Sequence, residues 1–103
     1  MEQYIRTNDE DTKVLDYDLL DTGARANFLN DVQRMADEIK LDLDDPDFSV
    51  AEKNEALNDA ATVAVNGLWL DDAEIEQDTH NWMVERIIRS LAERYDIELS
   101  DTI

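Results

Sequence analysis

No cysteine occurs in the chain, which excludes disulfides, thiolate metal sites and a cysteine nucleophile, and suits a reducing compartment. Two glycines and one proline are too few for a many-turned β architecture and favour long helices. The one histidine, His80, has no cysteine with which to share a metal, and fits a surface or helix-start position better than a catalytic one. No apolar run approaches the ~20 residues that span a bilayer, and the opening "MEQYIRTNDEDTK" lacks the basic-then-apolar profile of an export signal. A cytoplasmic protein without membrane contact is expected. Phosphate-cradling glycine loops, H-E-x-x-H and G-x-S-x-G are missing too, so neither an enzyme nor a cofactor is expected.

Basic residues are the remaining scarcity: nine Lys and Arg stand against 27 Asp and Glu, a net charge of −18, while 43% of residues are hydrophobic. Those apolar residues fall in periodic clusters, which marks a folded chain rather than a disordered one. Duplex DNA carries one charge per ~1.7 Å of axis, so −18 matches about 30 Å of duplex. A single domain of 103 residues has an expected diameter of roughly 30–35 Å. Its charge density is therefore predicted to rival that of DNA, and self-repulsion on that scale destabilises a compact state. Net charge is −5 over residues 1–21, −4 over 22–48, −7 over 49–78 and −2 over 79–103. The acid is interleaved with core positions rather than gathered in a tail, and belongs to the folded surface.

The expected fold is mainly all-α: a compact bundle of three main helices behind an irregular or short-strand N-terminal segment, in one domain spanning 1–103. The first helix runs from Thr22 to Lys40, capped by Asp21 or Thr22, with Phe28, Leu29, Val32, Met35, Ala36 and Ile39 on one face. The second opens at "SVAE", with Ser49 as N-cap and Glu52 closing a capping box, and ends near Gly67. Leu57, Ala60, Ala61, Ala64 and Leu68 make its inner stripe, and Val63 and Val65 broaden it to a second buried side. The third spans about Asp72–Tyr95 with a break near Thr79; Val84, Ile87, Ile88, Leu91 and Tyr95 form its seam, and Glu85, Arg89 and Glu93 a salt-bridged outer face. "KVLDYDLL" fits a short strand or a helical turn.

Three acidic clusters follow: Asp9, Glu10, Asp11, Asp16, Asp18 and Asp21; Asp42, Asp44, Asp45 and Asp47; and Asp71, Asp72, Glu74, Glu76 and Asp78. "LDLDDPDF" at 41–48 invites a calcium reading. Counted from Asp42, however, an EF-hand would place Pro46 at ligand position 5, Asp47 at the glycine position and Lys53 at the bidentate glutamate. No metal site is expected. Leu41 and Phe48 should anchor this connection to the core. The sign of the charge opposes direct nucleic-acid binding and fits its inversion, in which carboxylates stand at phosphate-like positions and engage the basic groove of a DNA-binding protein. Trp69 and Trp82 flank the third cluster as core aromatics or as anchors of a dimer or partner interface.

In the pattern and order of "EALNDAATVAV" (55–65) and "THNWMVERIIRSLAERYDIEL" (79–99), the chain resembles the phage-encoded DNA-mimic antirestriction proteins of the Ocr type, departing from them in its weakly acidic end, "ELSDTI". The resemblance implies a non-enzymatic inhibitor that fills the DNA groove of a host defence complex, with room for a homodimer. Anti-CRISPR proteins and uracil-DNA glycosylase inhibitors share the composition. The alternative is a small acidic structural or adaptor protein that binds a partner through its apolar helical face, with the acid serving solubility or salt adaptation.

Overall fold

The computed structural model describes residues 2–43, 47–68 and 73–99. Helix α1 (Thr22–Glu38) starts where Asp21 takes an extended backbone and accepts a 2.7 Å hydrogen bond from the Ala24 N–H, satisfying one of the donors a helix start leaves free. Helix α2 (Val50–Asn66) starts at Ser49, whose Oγ accepts from the Glu52 N–H at 3.1 Å. The Glu52 carboxylate folds back onto the same hydroxyl at 3.2 Å, so the box closes through that oxygen. Both starts are those the sequence predicts.

The third helix differs. Helix α3 (Gln77–Tyr95) begins five residues later than expected, at a cap formed by Glu76, whose carboxylate accepts from the Thr79 N–H at 3.0 Å. Glutamate is seldom a cap, so the sequence carried no start signal at this position. Part of the expected first turn is instead a strand. Lys13–Leu15 (β2) pairs antiparallel with Ile5–Thr7 (β1) and parallel with Glu74–Ile75 (β3), giving a three-stranded sheet in the order β1-β2-β3. The mainly helical expectation stands, with this small sheet added; a 3-10 turn at Tyr17–Leu19 follows β2, so "KVLDYDLL" is both strand and turn.

Helix α3 lies in the middle, and its side-chain partners set the directions of the other two. Trp82, Ser90 and Arg94 meet Phe28, Gln33 and Ala36 in the same order, so α1 runs parallel to α3. His80 meets Asn66, and Asn54 reaches the Glu98 carbonyl, so α2 runs antiparallel to α3. Phe28, Val32 and Ala36 of α1, Leu57, Ala61 and Val65 of α2, and Met83, Ile87 and Leu91 of α3 meet in one core, joined by Leu15 of β2 and by Tyr4 and Leu20. In α2 these buried positions stand four apart, a single narrow stripe. Val63 is 70% exposed, which corrects the expected second buried side, and Phe48 is 37% exposed, leaving Leu41 and Leu43 to hold the α1–α2 connection to the core.

One cation pins the far end of this arrangement. Arg94 donates to the Ile39 carbonyl at 2.6 Å and the Ala36 carbonyl at 2.7 Å, capping the C-terminus of α1 from α3, while the Tyr95 hydroxyl accepts from the Leu41 N–H. The carbonyl end of a helix attracts positive charge, and the planar guanidinium reaches two carbonyls together. Arg94→Ala should therefore lose about 2–3 kcal/mol in urea unfolding, the range for charge-assisted bonds. Arg94→Lys should recover less than half of that, since an ammonium is a point donor; equal stability for Lys and Arg would show that charge alone matters.

The molecule measures 50 × 23 × 23 Å with a radius of gyration of 15.1 Å, more elongated than the sphere assumed from length. Along the long axis the 18 net charges fall one per about 2.8 Å, not one per ~1.7 Å as in duplex DNA. The charge density is thus about three-fifths that of DNA, a correction that comes wholly from shape.

Candidate acidic interface

Two of the predicted clusters are brought together by the sheet. Asp9, Glu10 and Asp11 sit exposed in the turn between β1 and β2, where the Asn8 side-chain carbonyl accepts from the N–H groups of Glu10 and Thr12. Asp11 occupies the left-handed region at φ 64°, which aspartate tolerates better than most residues. The register Val14↔Glu74 and Leu15↔Ile75 sets β3 beside β2, so Glu74 and Asp78, both exposed, join the pole that already carries Asp18 and Asp21. Asp42 and Asp47, also exposed, lie beyond the C-terminus of α1 at the opposite end. A 19-residue helix, α3, separates the two poles, a length of about 28 Å. Asp44, Asp45, Trp69, Asp71 and Asp72 lie outside the described residues.

Besides Asp21, which caps α1, two predicted members have local structural work. Asp16 is half-buried and accepts from the Asp18 N–H at 2.9 Å, capping the 3-10 turn. Glu76 caps α3 and ties it to the sheet: its carboxylate meets the Thr79 hydroxyl at 3.4 Å, and that hydroxyl, in a residue 3% exposed, accepts from the Tyr17 N–H at 3.0 Å. The backbone N–H of Asp78, followed by that of Thr79, holds the Glu76 carboxyl below the ordinary glutamate value. A carboxyl depressed in the fold stabilises it above its unfolded value and ceases to as pH falls through the folded value. The stability difference between the native chain and Glu76→Gln should therefore be full at pH 7 and shrink below about pH 4.3. Urea titrations at pH 7 and pH 3 would measure it, and a constant difference would exclude the depressed carboxyl as its source.

Little of the acid is neutralised locally. Among the described residues three ion pairs form, Arg34–Asp31 at 3.8 Å, Arg89–Glu85 at 2.6 Å and Arg94–Asp37 at 3.2 Å. Glu85 with Arg89 realises part of the expected salt-bridged face of α3, with Glu93 in none of these three pairs, and this exposed contact is worth a few tenths of a kcal/mol. Other arginines turn to neutral partners. Arg6 donates to the carbonyls of Gln3 and Ile5, and Arg25 donates to the Asp18 carbonyl while lying 5.2 Å from the Tyr17 ring centre. Arg86 stacks 5.7 Å from the ring centre of Trp82. This use of cations leaves the field of the exposed carboxylates largely uncancelled.

Trp82 belongs to an aromatic cluster: its ring lies 5.1 Å from Tyr17 and 5.8 Å from Phe28, and Phe28 meets Tyr4 edge-on at 5.1 Å. It is therefore packed against the core under Arg86, the plainer of its two expected roles. The Tyr4 hydroxyl donates to Asp31 at 2.6 Å, and burial first, then that bond, pushes the phenol above its ordinary value. His80 stands in the first turn of α3 with Nε2 3.0 Å from the Asn66 Oδ1, a helix-start position as expected. No group of three or more His, Cys, Asp or Glu among the described residues could hold a metal, and none of the described helices is long and apolar enough to cross a membrane.

One acidic surface lies outside the three sequence clusters. Glu52, Glu55 and Asp59 are exposed on α2 at spacings of three and four, one face of a helix, along about 10 Å of its first half. Their helical periodicity is the sequence signal for this face. No family model matches the chain, and neither the curated proteins nor the solved structures contain a match.

Proposed function

We propose that this protein is a non-enzymatic DNA mimic that acts in the cytoplasm, occupying the basic DNA-binding groove of a host defence or DNA-processing protein. The observation that carries the reading is the exposed acidic pole at the starts of α1 and α3, set on a narrow body about 28 Å, the length of α3, from the further exposed carboxylates at the other end. A duplex turn is about 34 Å, so the two poles span most of one turn. Carboxylates so placed would displace the groove's bound counter-ions and steer fast association, as phosphates do. No catalytic residue is needed.

The test is capture of partners from lysate on the immobilised chain, with and without competitor duplex. A DNA-binding protein released by duplex, with affinity falling steeply as salt rises, is the expected result. A partner that stays bound while fully loaded with DNA, or binding indifferent to salt, would overturn it. The adaptor reading has one observation in its favour, an apolar groove between α2 and α3; it expects capture that survives both duplex and salt.

A further inference from the structure

The groove between α2 and α3 has a volume of about 760 Å³, within the ~300–1,000 Å³ usual for binding clefts. Val84, Ile88 and Leu99 line it, half-buried against the core, and Ala51 adds a small wall from α2. Its two rims differ in charge. On the α3 side Glu85 is held by Arg89 at 2.6 Å and that rim is balanced. On the α2 side Glu55 stands exposed between Glu52 and Asp59, and the rim is acidic, with Lys53 the single basic residue of α2. From Asn81 to Arg89 the lining of α3 covers about 12 Å, two turns of a docked helix.

We propose that this groove receives the apolar face of a basic amphipathic helix presented by the protein partner, with that helix's cations turned toward α2. The proposal rests on the partner being basic, as argued above, and adds an apolar anchor to what charge alone provides. Helix-in-groove recognition needs apolar side chains at spacings of three, four and seven, which two turns supply. A second copy of this chain is disfavoured as occupant, because it would bring another 18 negative charges onto the Glu55 rim. A basic helix meets that rim with opposite sign.

The probe is a 14-residue leucine–lysine peptide with one apolar face, set against a peptide of the same composition in permuted order. Both are titrated into the ¹⁵N-labelled full chain at 0.5 M NaCl, where exposed charge is screened within ~4–5 Å. The segregated peptide should bind about tenfold more tightly, the effect of one well-buried aliphatic side chain, with amide shifts in residues 51–58 and 81–89. Ile88→Asp should remove the difference, and so should Asn58→Trp, which fills the groove from the surface of α2 without touching the core. Equal affinities, shifts confined to residues 9–18 and 74–78, or self-association abolished by Ile88→Asp would each overturn it. Failure here leaves duplex competition untouched, and failure of duplex competition leaves the peptide result standing, so the two readings fall separately.

Discussion

Replacing Asp9, Glu10, Asp11, Asp18, Glu74 and Asp78 with Asn or Gln should weaken binding to the proposed DNA-binding partner about a thousandfold at low salt while raising the midpoint of thermal unfolding. These six carboxylates are exposed and form none of the three ion pairs found among the described residues, so their removal leaves the packing alone. Each charge engaged with a polyelectrolyte-binding groove contributes close to one unit of slope in log affinity against log salt, so the slope should fall by about five. Stability moves the other way because these clustered carboxylates repel one another within the pole. The opposed signs distinguish the readings. A surface kept acidic only for solubility would gain thermal stability and lose no affinity, and that outcome, in thermal melts paired with salt-dependent titrations, would remove the mimic.

The second large effect is structural. Phe28→Ala should cost about 4–5 kcal/mol, the upper part of the range for a buried phenylalanine. Phe28 is fully buried and touches Tyr4, Tyr17 and Trp82, so truncation opens a cavity and dissolves three aromatic contacts, each worth about 0.5–1.5 kcal/mol. Small domains hold about 5–15 kcal/mol in all, which places the variant near the edge of folding. Urea unfolding would give the loss, and near-ultraviolet circular dichroism should show a weakened Trp82 band. Val63→Ala, at a 70% exposed site, should change stability by under about 0.5 kcal/mol. A large loss at Val63 would restore the two-sided burial that the sequence suggests.

Phe28 and Val63 mark where helical spacing placed a core residue rightly and where it did not. α1 and α2 were legible because Asp21, Ser49 and Gly67 mark their ends chemically and the apolar positions between them recur at helical spacing. Glu76 carried no such mark, and β3 is two residues long, too short for any period to register. Its partner, β2, lies 60 residues earlier, and only the fold connects Val14 with Glu74. The acidic residues were legible as types but not as a surface. That Asp9–Asp11 and Glu74–Asp78 share a pole depends on this parallel strand pair, and that Asp42 and Asp47 lie a helix away depends on α1 and α3 running the same way. The interhelical groove was invisible for the same reason: its lining residues come from two helices and the segment after α3.

The pairing of Val14 with Glu74 also sets a timetable for synthesis. At roughly 5–20 residues per second, the β1–β2 hairpin leaves the ribosome about 3–12 seconds before the strand that completes its sheet. An isolated two-stranded hairpin is marginally stable, and its open edge invites pairing with a neighbouring nascent chain. The net −5 of residues 1–21 then guards that waiting edge, since two such hairpins meeting would repel. On a crowded polysome, the same charge would keep unfinished sister chains apart.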